Sequence, residues 1–255
     1  MSEPGKPDVK TPKSWIDRIC EVRPDLPLIA PMFAYLLLLG LRDTWFLPYE
    51  KRWIADLIRG FGGLWVAWTF RRHLPAWGRP HVLLAAVMGI LIAVGWYYGQ
   101  YFSDWLGIRH RLPLPIFSGD FELVDPRDKW GTGGLFWWSV TTRILVASTT
   151  VAVVEELFWR GFLLRAFIDW NDFEKVPLGA FGWRAFLLTS LLSTLEHPDN
   201  WVVSIPCWFA FNGLMYWKKS LLFLVLVHGF TNLFLYIWVV LQAVRWENTS
   251  AWMFW

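Results

Sequence analysis

Three charged side chains interrupt an otherwise apolar stretch, VAVVEELFWRGFLL, at residues 151–164. They are Glu155, Glu156 and Arg160. A charged side chain at the centre of a membrane helix costs roughly 2.5 to 3.5 kcal/mol, whereas a Leu-class residue contributes only about 0.3 to 0.6 kcal/mol in favour of insertion. If this stretch spans a membrane, its charged groups must face the interior of a helical bundle or a water-filled cavity.

The composition of the whole chain indicates a membrane protein. Of 255 residues, 55% are hydrophobic and 18% are charged, against about 25% charged in soluble domains. The 21 Trp residues fit an aromatic belt at the membrane interface. The net charge of +3 and the lack of a basic, aromatic-rich stretch argue against nucleic-acid binding.

Apolar segments long enough to cross a bilayer, about 20 residues each, predict the fold class. We expect an all-α protein, a polytopic transmembrane helical bundle with about seven to eight spans. Seven segments meet the criterion to different degrees: 27–47, 53–70, 81–102, 133–170, 181–196, 201–217 and 220–244.

These segments predict four parts of the chain. Residues 1–26 form a polar cytoplasmic tail, and residues 27–132 hold N-terminal transmembrane helices and a loop outside the bilayer at 103–132. Residues 133–244 form the core, and residues 245–255 a C-terminal tail. The distribution of Lys and Arg favours a cytoplasmic N-terminus in a multi-pass cell-membrane protein.

Helix geometry separates the roles of the two glutamates. Glu156 and Arg160 are four residues apart, the spacing of an ion pair on one helix face. Glu155 is turned by about 100° from Glu156 and lacks this partner. We therefore expect Glu156 and Arg160 to support the architecture and Glu155 to activate water as a general base. The alternative is that the whole cluster is an ionic staple between helices.

Two further stretches place polar groups in apolar segments. His228 and Asn232 share a face of the last segment, in LVHGFTN, where both side chains can donate hydrogen bonds to an oxyanion. Between them, Gly229 permits the close approach of another backbone or a substrate. His197 ends the fifth segment, and a helical continuation would point the neighbouring Glu196 away from it.

The histidines are also compatible with a metal site. Glu155, His197 and His228 match the ligand set of a catalytic zinc ion with an open water position. Equally, Glu155 can activate water directly, with the histidines orienting it and no metal bound. The predicted cofactor is therefore either none or one divalent metal such as zinc.

Two of these stretches resemble a known family. Glu155 to Arg160, EELFWR, fits the EExxxR motif of the CPBP intramembrane proteases, which include the type II CAAX prenyl proteases and abortive-infection-like homologues. HGFTN at 228–232 resembles the HxxxN motif of that family. The family's FxxxH motif matches only at His197, since Ser193 stands in place of its Phe. The resemblance covers roughly residues 133–244.

The resemblance implies a membrane-embedded endopeptidase, a hydrolase of the metallo or glutamate type, acting on a membrane-associated protein or peptide. It implies that Glu155 activates water, that His197, His228 and Asn232 surround the scissile carbonyl, and that Glu156 and Arg160 support them. The long leader resembles bacterial members associated with exosortase-type sorting, which implies a bacterial inner membrane.

Two functions of other classes compete with this interpretation. One is a non-catalytic membrane scaffold or immunity-type protein that uses the same buried residues as interhelical staples. The other is a transporter with an ion or proton site near the midplane, although no inverted sequence repeat supports it.

Overall fold

The computed structural model describes residues 13–44, 51–108 and 123–255, and the regular secondary structure of those residues consists of helices alone. The all-α class is confirmed. The described helices are α1 (Trp15–Val22), α2 (Leu26–Thr44), α3 (Arg52–Thr69), α4 (Val82–Trp105), α5 (Pro126–Trp130), α6 (Gly134–Ala166), α7 (Trp183–Leu192), α8 (Trp201–Lys218) and α9 (Leu221–Arg245). Short 3-10 segments lie at Phe173–Lys175, Ser193–Leu195, Pro198–Asn200 and Thr249–Phe254.

Three of these helices, α4, α6 and α9, are long and apolar enough to cross a membrane. Within the described ranges the number rises to four if α1 and Leu26–Gly40, bent by 101°, form one broken span. Helix α7 has only 10 residues, which is about 15 Å of helix against a hydrocarbon core of about 30 Å. The predicted number of seven to eight spans is therefore not confirmed.

The predicted polar tail contains an amphipathic helix, α1. Ser14 caps it in a reciprocal arrangement with Asp17, in which each side chain satisfies a backbone N–H of the first turn. Asp17 also lies 3.0 Å from Nε2 of His73, beyond the end of α3. Pro24 follows α1 and favours its termination.

Helix α9 lies between α4 and α6, and small residues allow both close approaches. A Cβ atom on Gly89 of α4 would stand 2.6 Å from Cβ of Phe230. A Cβ atom on Gly229 of α9 would stand 2.5 Å from the backbone oxygen of Ser148 in α6. Small residues at such crossings let membrane helices gain van der Waals contact along their backbones. The face of α9 that carries His228 is thereby held against α6.

Helix α6 contains two π-helical segments, at Ala147–Val151 and Leu157–Leu163. They flank a single α-helical stretch, Ala152–Glu156, which carries both glutamates. Wider π-helical turns inside α-helices are frequent at functional sites because they displace side chains from their regular angular positions.

The predicted C-terminal tail folds back onto the bundle. The 3-10 segment Thr249–Phe254 buries Trp252 and Phe254 in a cluster with residues of α4, α6 and α9. The hydroxyl groups of Ser250 and Tyr101 lie 3.0 Å apart. Large aromatic side chains favour burial over a solvated tail, so this segment is part of the bundle wall.

Candidate active site

A cavity of about 550 Å³ opens among α4, α6, α8, α9 and the turn between α7 and α8. The four residues predicted to be catalytic all line it: Glu155, His197, His228 and Asn232. They come from three distant stretches of the sequence. The structure thus brings together the predicted residues, while their catalytic roles stay predictions.

Glu156 is the centre of a fully buried polar network. Its Oε1 atom accepts hydrogen bonds from Nη1 of Arg160 at 3.0 Å and from Nδ1 of His228 at 2.9 Å. Glu156 and Arg160 have no solvent exposure. The predicted pair along the helix is therefore formed, and it also fixes the ring of His228 from α9. A carboxylate on one ring nitrogen sets the orientation of the other.

Arg160 is held by further partners on α8. Its Nε atom donates to Oδ1 of Asn212 at 3.1 Å, and its guanidinium lies 5.2 Å from the ring centres of both Trp208 and Phe211. Asn212 in turn donates to Thr189 Oγ1 at 2.9 Å and to a second hydroxyl of α7. This chain of bonds ties α6 to α7 and α8, so removing one member leaves the others buried without partners.

Glu155 lines the cavity, and the ion pair of Arg160 is made with Glu156 instead. Only 8% of the residue is exposed, and in the described part of the chain its Oε2 atom has no hydrogen-bond partner. Nε2 of His228 lies 3.8 Å from that oxygen. This distance is longer than a hydrogen bond and short enough for one reacting molecule to touch both groups.

The expected orientation of Glu196 is wrong. One ligand atom each of Glu155, Glu196 and His197 lies within 4.8 Å of the other two. After the 3-10 segment Ser193–Leu195 the chain leaves helical geometry, with His197 at φ −127° and ψ 57°. His197 therefore does not continue the helical geometry that Glu196 still has, and both residues line the cavity. A polar pair directly before Pro198, which favours a helix end, is the sequence signal for this turn.

Indole rings position this turn. Nε1 of Trp159 donates to Oε2 of Glu196 at 2.9 Å. The His197 ring meets the rings of Trp96 and Trp208 edge-on, at centroid distances of 5.1 and 5.5 Å. Two of these tryptophans flank the cavity from α4 and α8, so the ring of His197 is restrained although its residue is partly exposed.

The predicted metal set changes accordingly. Among the residues that the structure describes, the acidic and histidine side chains close enough to share a metal ion are Glu155, Glu196 and His197. His228, which the sequence suggested as third ligand, does not belong to this group. Its Nδ1 atom is already bonded to Glu156.

Asn232 stands one helical turn after His228 and also binds α6. Its Nδ2 atom donates to the backbone oxygen of Ala147 at 2.8 Å. A side-chain amide carries two N–H donors, so one remains for another acceptor. Asn232 lines the same cavity as Glu155.

Arginine side chains line another part of the cavity. Arg59 forms a 2.6 Å ion pair with Asp56 and lies 5.2 Å from the ring centre of Tyr35. Arg143 lies 4.9 Å from the ring centre of Trp255 in the C-terminal segment. The cavity therefore carries both acidic and basic groups at its walls.

The fold and the site define a class: a helical membrane protein with an acid and histidine cluster inside the bundle. Residues 137–234 match the family model described as type II CAAX prenyl endopeptidase Rce1-like. That stretch runs from the first turn of α6 into α9 and contains all the site residues discussed above except the arginine–aspartate pair of α3, Tyr35, Trp96 and Trp255.

The match at residues 137–234 supports the CAAX protease family that the motifs predicted. This is a protease family. No curated protein and no solved structure matches the chain.

Proposed function

We propose that this protein is an intramembrane endopeptidase that hydrolyses a peptide bond of a membrane-associated protein, with Glu155 as the group that activates water. We place it in a bacterial inner membrane with a cytoplasmic N-terminus. The observation that carries the proposal is the buried oxygen of Glu155, which has no hydrogen-bond partner among the described residues and belongs to a side chain that lines a cavity with two histidines.

The proposed reaction has two proton transfers. The carboxylate of Glu155 takes a proton from water as the water oxygen attacks the scissile carbonyl carbon. The tetrahedral intermediate then collapses, its C–N bond breaks, and the leaving amine takes the proton from Glu155. The products are a new carboxylic acid and a free amine, which become a carboxylate and an ammonium once the acid's proton passes to the amine, with no covalent enzyme intermediate.

The oxyanion of that intermediate needs donors. The Nδ1 atom of His228 is bonded to Glu156, so its Nε2 atom is the ring nitrogen left to act on the cavity side, as a donor whenever it carries a proton. The second N–H of Asn232 is the other candidate donor. Donors held in place before the reaction stabilise developing charge without reorganising, and Glu156 with Arg160 supplies that rigidity. His197 is proposed to orient the water or bind a metal.

The test is peptide cleavage by the purified protein in lipid nanodiscs. A pool of membrane-anchored peptides is incubated with the protein, and mass spectrometry identifies new termini. Glu155→Gln keeps the size of the side chain and removes the base, so kcat should fall by about 10² to 10⁴-fold. The matched control is Glu174→Gln, on an exposed residue after α6, which should cleave as the parent does. Equal cleavage by all three proteins would refute the assignment.

A second function is favoured by one observation. The bonds among Glu156, Arg160, Asn212 and His228 join helices α6, α8 and α9, as a non-catalytic scaffold or immunity-type protein would also require. That alternative predicts that Glu155→Gln leaves the biological activity intact. It also predicts no cleavage product from any peptide of the pool.

A further inference from the structure

The cavity holds an acidic side chain, Glu196, that the proposed reaction leaves without a role. Ligand atoms of Glu155, Glu196 and His197 lie within 4.8 Å of one another. Glu155 lies in helix α6, whereas Glu196 lies in the turn after α7. Two carboxylates are thus brought together by the fold and not by neighbouring positions in the sequence.

The negative charge of Glu156 is balanced by a nearby cation, and within the ranges that the structure describes the charges of Glu155 and Glu196 are not. Glu156 faces the guanidinium of Arg160 at 3.0 Å. For Glu155 and Glu196, by contrast, the described residues place no Lys or Arg within salt-bridge distance, and His228 approaches only Glu155, at 3.8 Å. Two carboxylates close together in a cavity cannot both stay ionised without compensation; they share a proton or hold a cation.

The ligand atoms are held in place as a binding site requires. Glu155 is more than nine-tenths buried, and its Oε2 atom lacks a hydrogen bond among the residues described. Trp159 donates to one oxygen of Glu196 and so fixes that carboxylate. Outer partners of this kind orient metal ligands and set their affinity. His197 is restrained between two indole rings.

We propose that Glu155, Glu196 and His197 bind one divalent cation, with zinc as the best match to this donor set. Carboxylate and imidazole ligands suit zinc, and three protein ligands leave a fourth position for water. Such a cation would offset the paired negative charges and polarise a bound water. Glu196 becomes a ligand that the family motifs quoted above do not include, and Trp159 a positioning residue.

This inference deepens the proposed function, because the cation would lie beside the water that Glu155 activates. Its test is nevertheless separate from peptide cleavage. Zinc binding without any cleavage would contradict the peptidase and leave the site standing. Cleavage by fully metal-free protein without zinc binding would contradict the site and leave the peptidase standing.

The experiment measures zinc binding by the full chain in nanodiscs, free of any histidine tag. Protein stripped with a chelator is titrated with zinc by calorimetry, and its thermal midpoint is followed at each concentration. We expect one site per chain and a midpoint that rises with zinc, because a ligand that binds the folded state stabilises it. Metal analysis after gel filtration should find one zinc per chain.

Three variants decide between a site and adventitious binding. Trp159→Phe keeps the three ligands and removes only the indole N–H, so it should weaken zinc binding roughly tenfold. Glu196→Gln removes a ligand and should weaken it further, whereas the exposed Glu174→Gln should bind as the parent does. The proposal is overturned if no saturable binding occurs, or if folded Trp159→Phe and Glu196→Gln both bind zinc as tightly as Glu174→Gln.

Discussion

Replacing Arg160 by Met tests how strongly the buried network holds the bundle. Arg160 and Glu156 have fully buried side chains that share a 3.0 Å bond. The variant leaves the carboxylate of Glu156 without its guanidinium and the oxygen of Asn212 without its donor. Breaking a buried pair from one side destabilises by about 3 to 5 kcal/mol. We expect Arg160→Met to lose that much free energy of unfolding.

The double variant Glu156→Gln, Arg160→Met supplies the control. A neutral amide leaves no uncompensated charge, and its oxygen can still accept from Nδ1 of His228, while Met fills part of the space of the arginine. Replacing both members of a buried pair by neutral groups is often close to neutral in stability. The double variant should therefore be more stable than Arg160→Met alone.

The assay is reversible unfolding in mixed detergent micelles, followed by tryptophan fluorescence and far-ultraviolet circular dichroism. The free energies of the parent, both single variants and the double variant give the coupling between positions 156 and 160. An Arg160→Met protein as stable as the parent would refute the reasoning. So would a double variant less stable than Arg160→Met.

Three further variants test the packing and the proposed donors. Gly229→Ala puts a Cβ atom 2.5 Å from the backbone oxygen of Ser148, so the free energy of unfolding should fall by about 1 to 3 kcal/mol. The control Gly213→Ala adds a Cβ atom with nothing within 4 Å and should not destabilise the protein. Equal unfolding midpoints for the two variants would contradict the close approach of α9 to α6. Asn212→Ala removes the hydrogen bonds to Arg160 and α7 and should lower the free energy of unfolding by about 1 to 3 kcal/mol. Denaturant titration measures this loss, and an unchanged free energy would contradict the role of Asn212. Asn232→Ala should lower kcat by about 10² to 10³ as for one oxyanion donor; a change confined to KM would argue against that role.

Local helix geometry explains what the sequence predicted well. The pair of Glu156 with Arg160 depends only on a spacing of four residues along one helix. That His228 and Asn232 face one cavity follows from the same rule. These contacts need no knowledge of how helices are arranged.

Contacts between distant elements were beyond the sequence pattern. The bond of His228 to Glu156 joins residues 72 positions apart, and nothing in either stretch identifies the other. Glu196 was misjudged because its direction depends on where α7 ends, and helix ends are less sharply encoded than helix interiors. The C-terminal segment reads as a tail, yet its aromatic side chains find a place only once α4, α6 and α9 are packed.

The number of membrane spans was likewise beyond what the sequence pattern could predict. The apolar segment 181–196 contains enough hydrophobic residues, but the structure ends its α-helix at Leu192 and turns the chain into the cavity. Hydropathy averages over such a turn and does not register it. The turn is nevertheless the feature that delivers His197 and Glu196 to the site.

Thiol reactivity tests most directly whether the polar groups of three distant stretches share one water-filled cavity. Single cysteines replace Glu155, His197 or His228 in a background of Cys20→Ser and Cys207→Ala, and a charged reagent is applied to the protein in lipid. All three cysteines should react with the reagent, and a bound peptide should protect all three. The control Leu145→Cys lies on the exposed outer face of α6, where lipid covers it, and should stay unreactive. A cysteine at 155 that reacts no faster than one at 145, or that no peptide protects, would contradict the account.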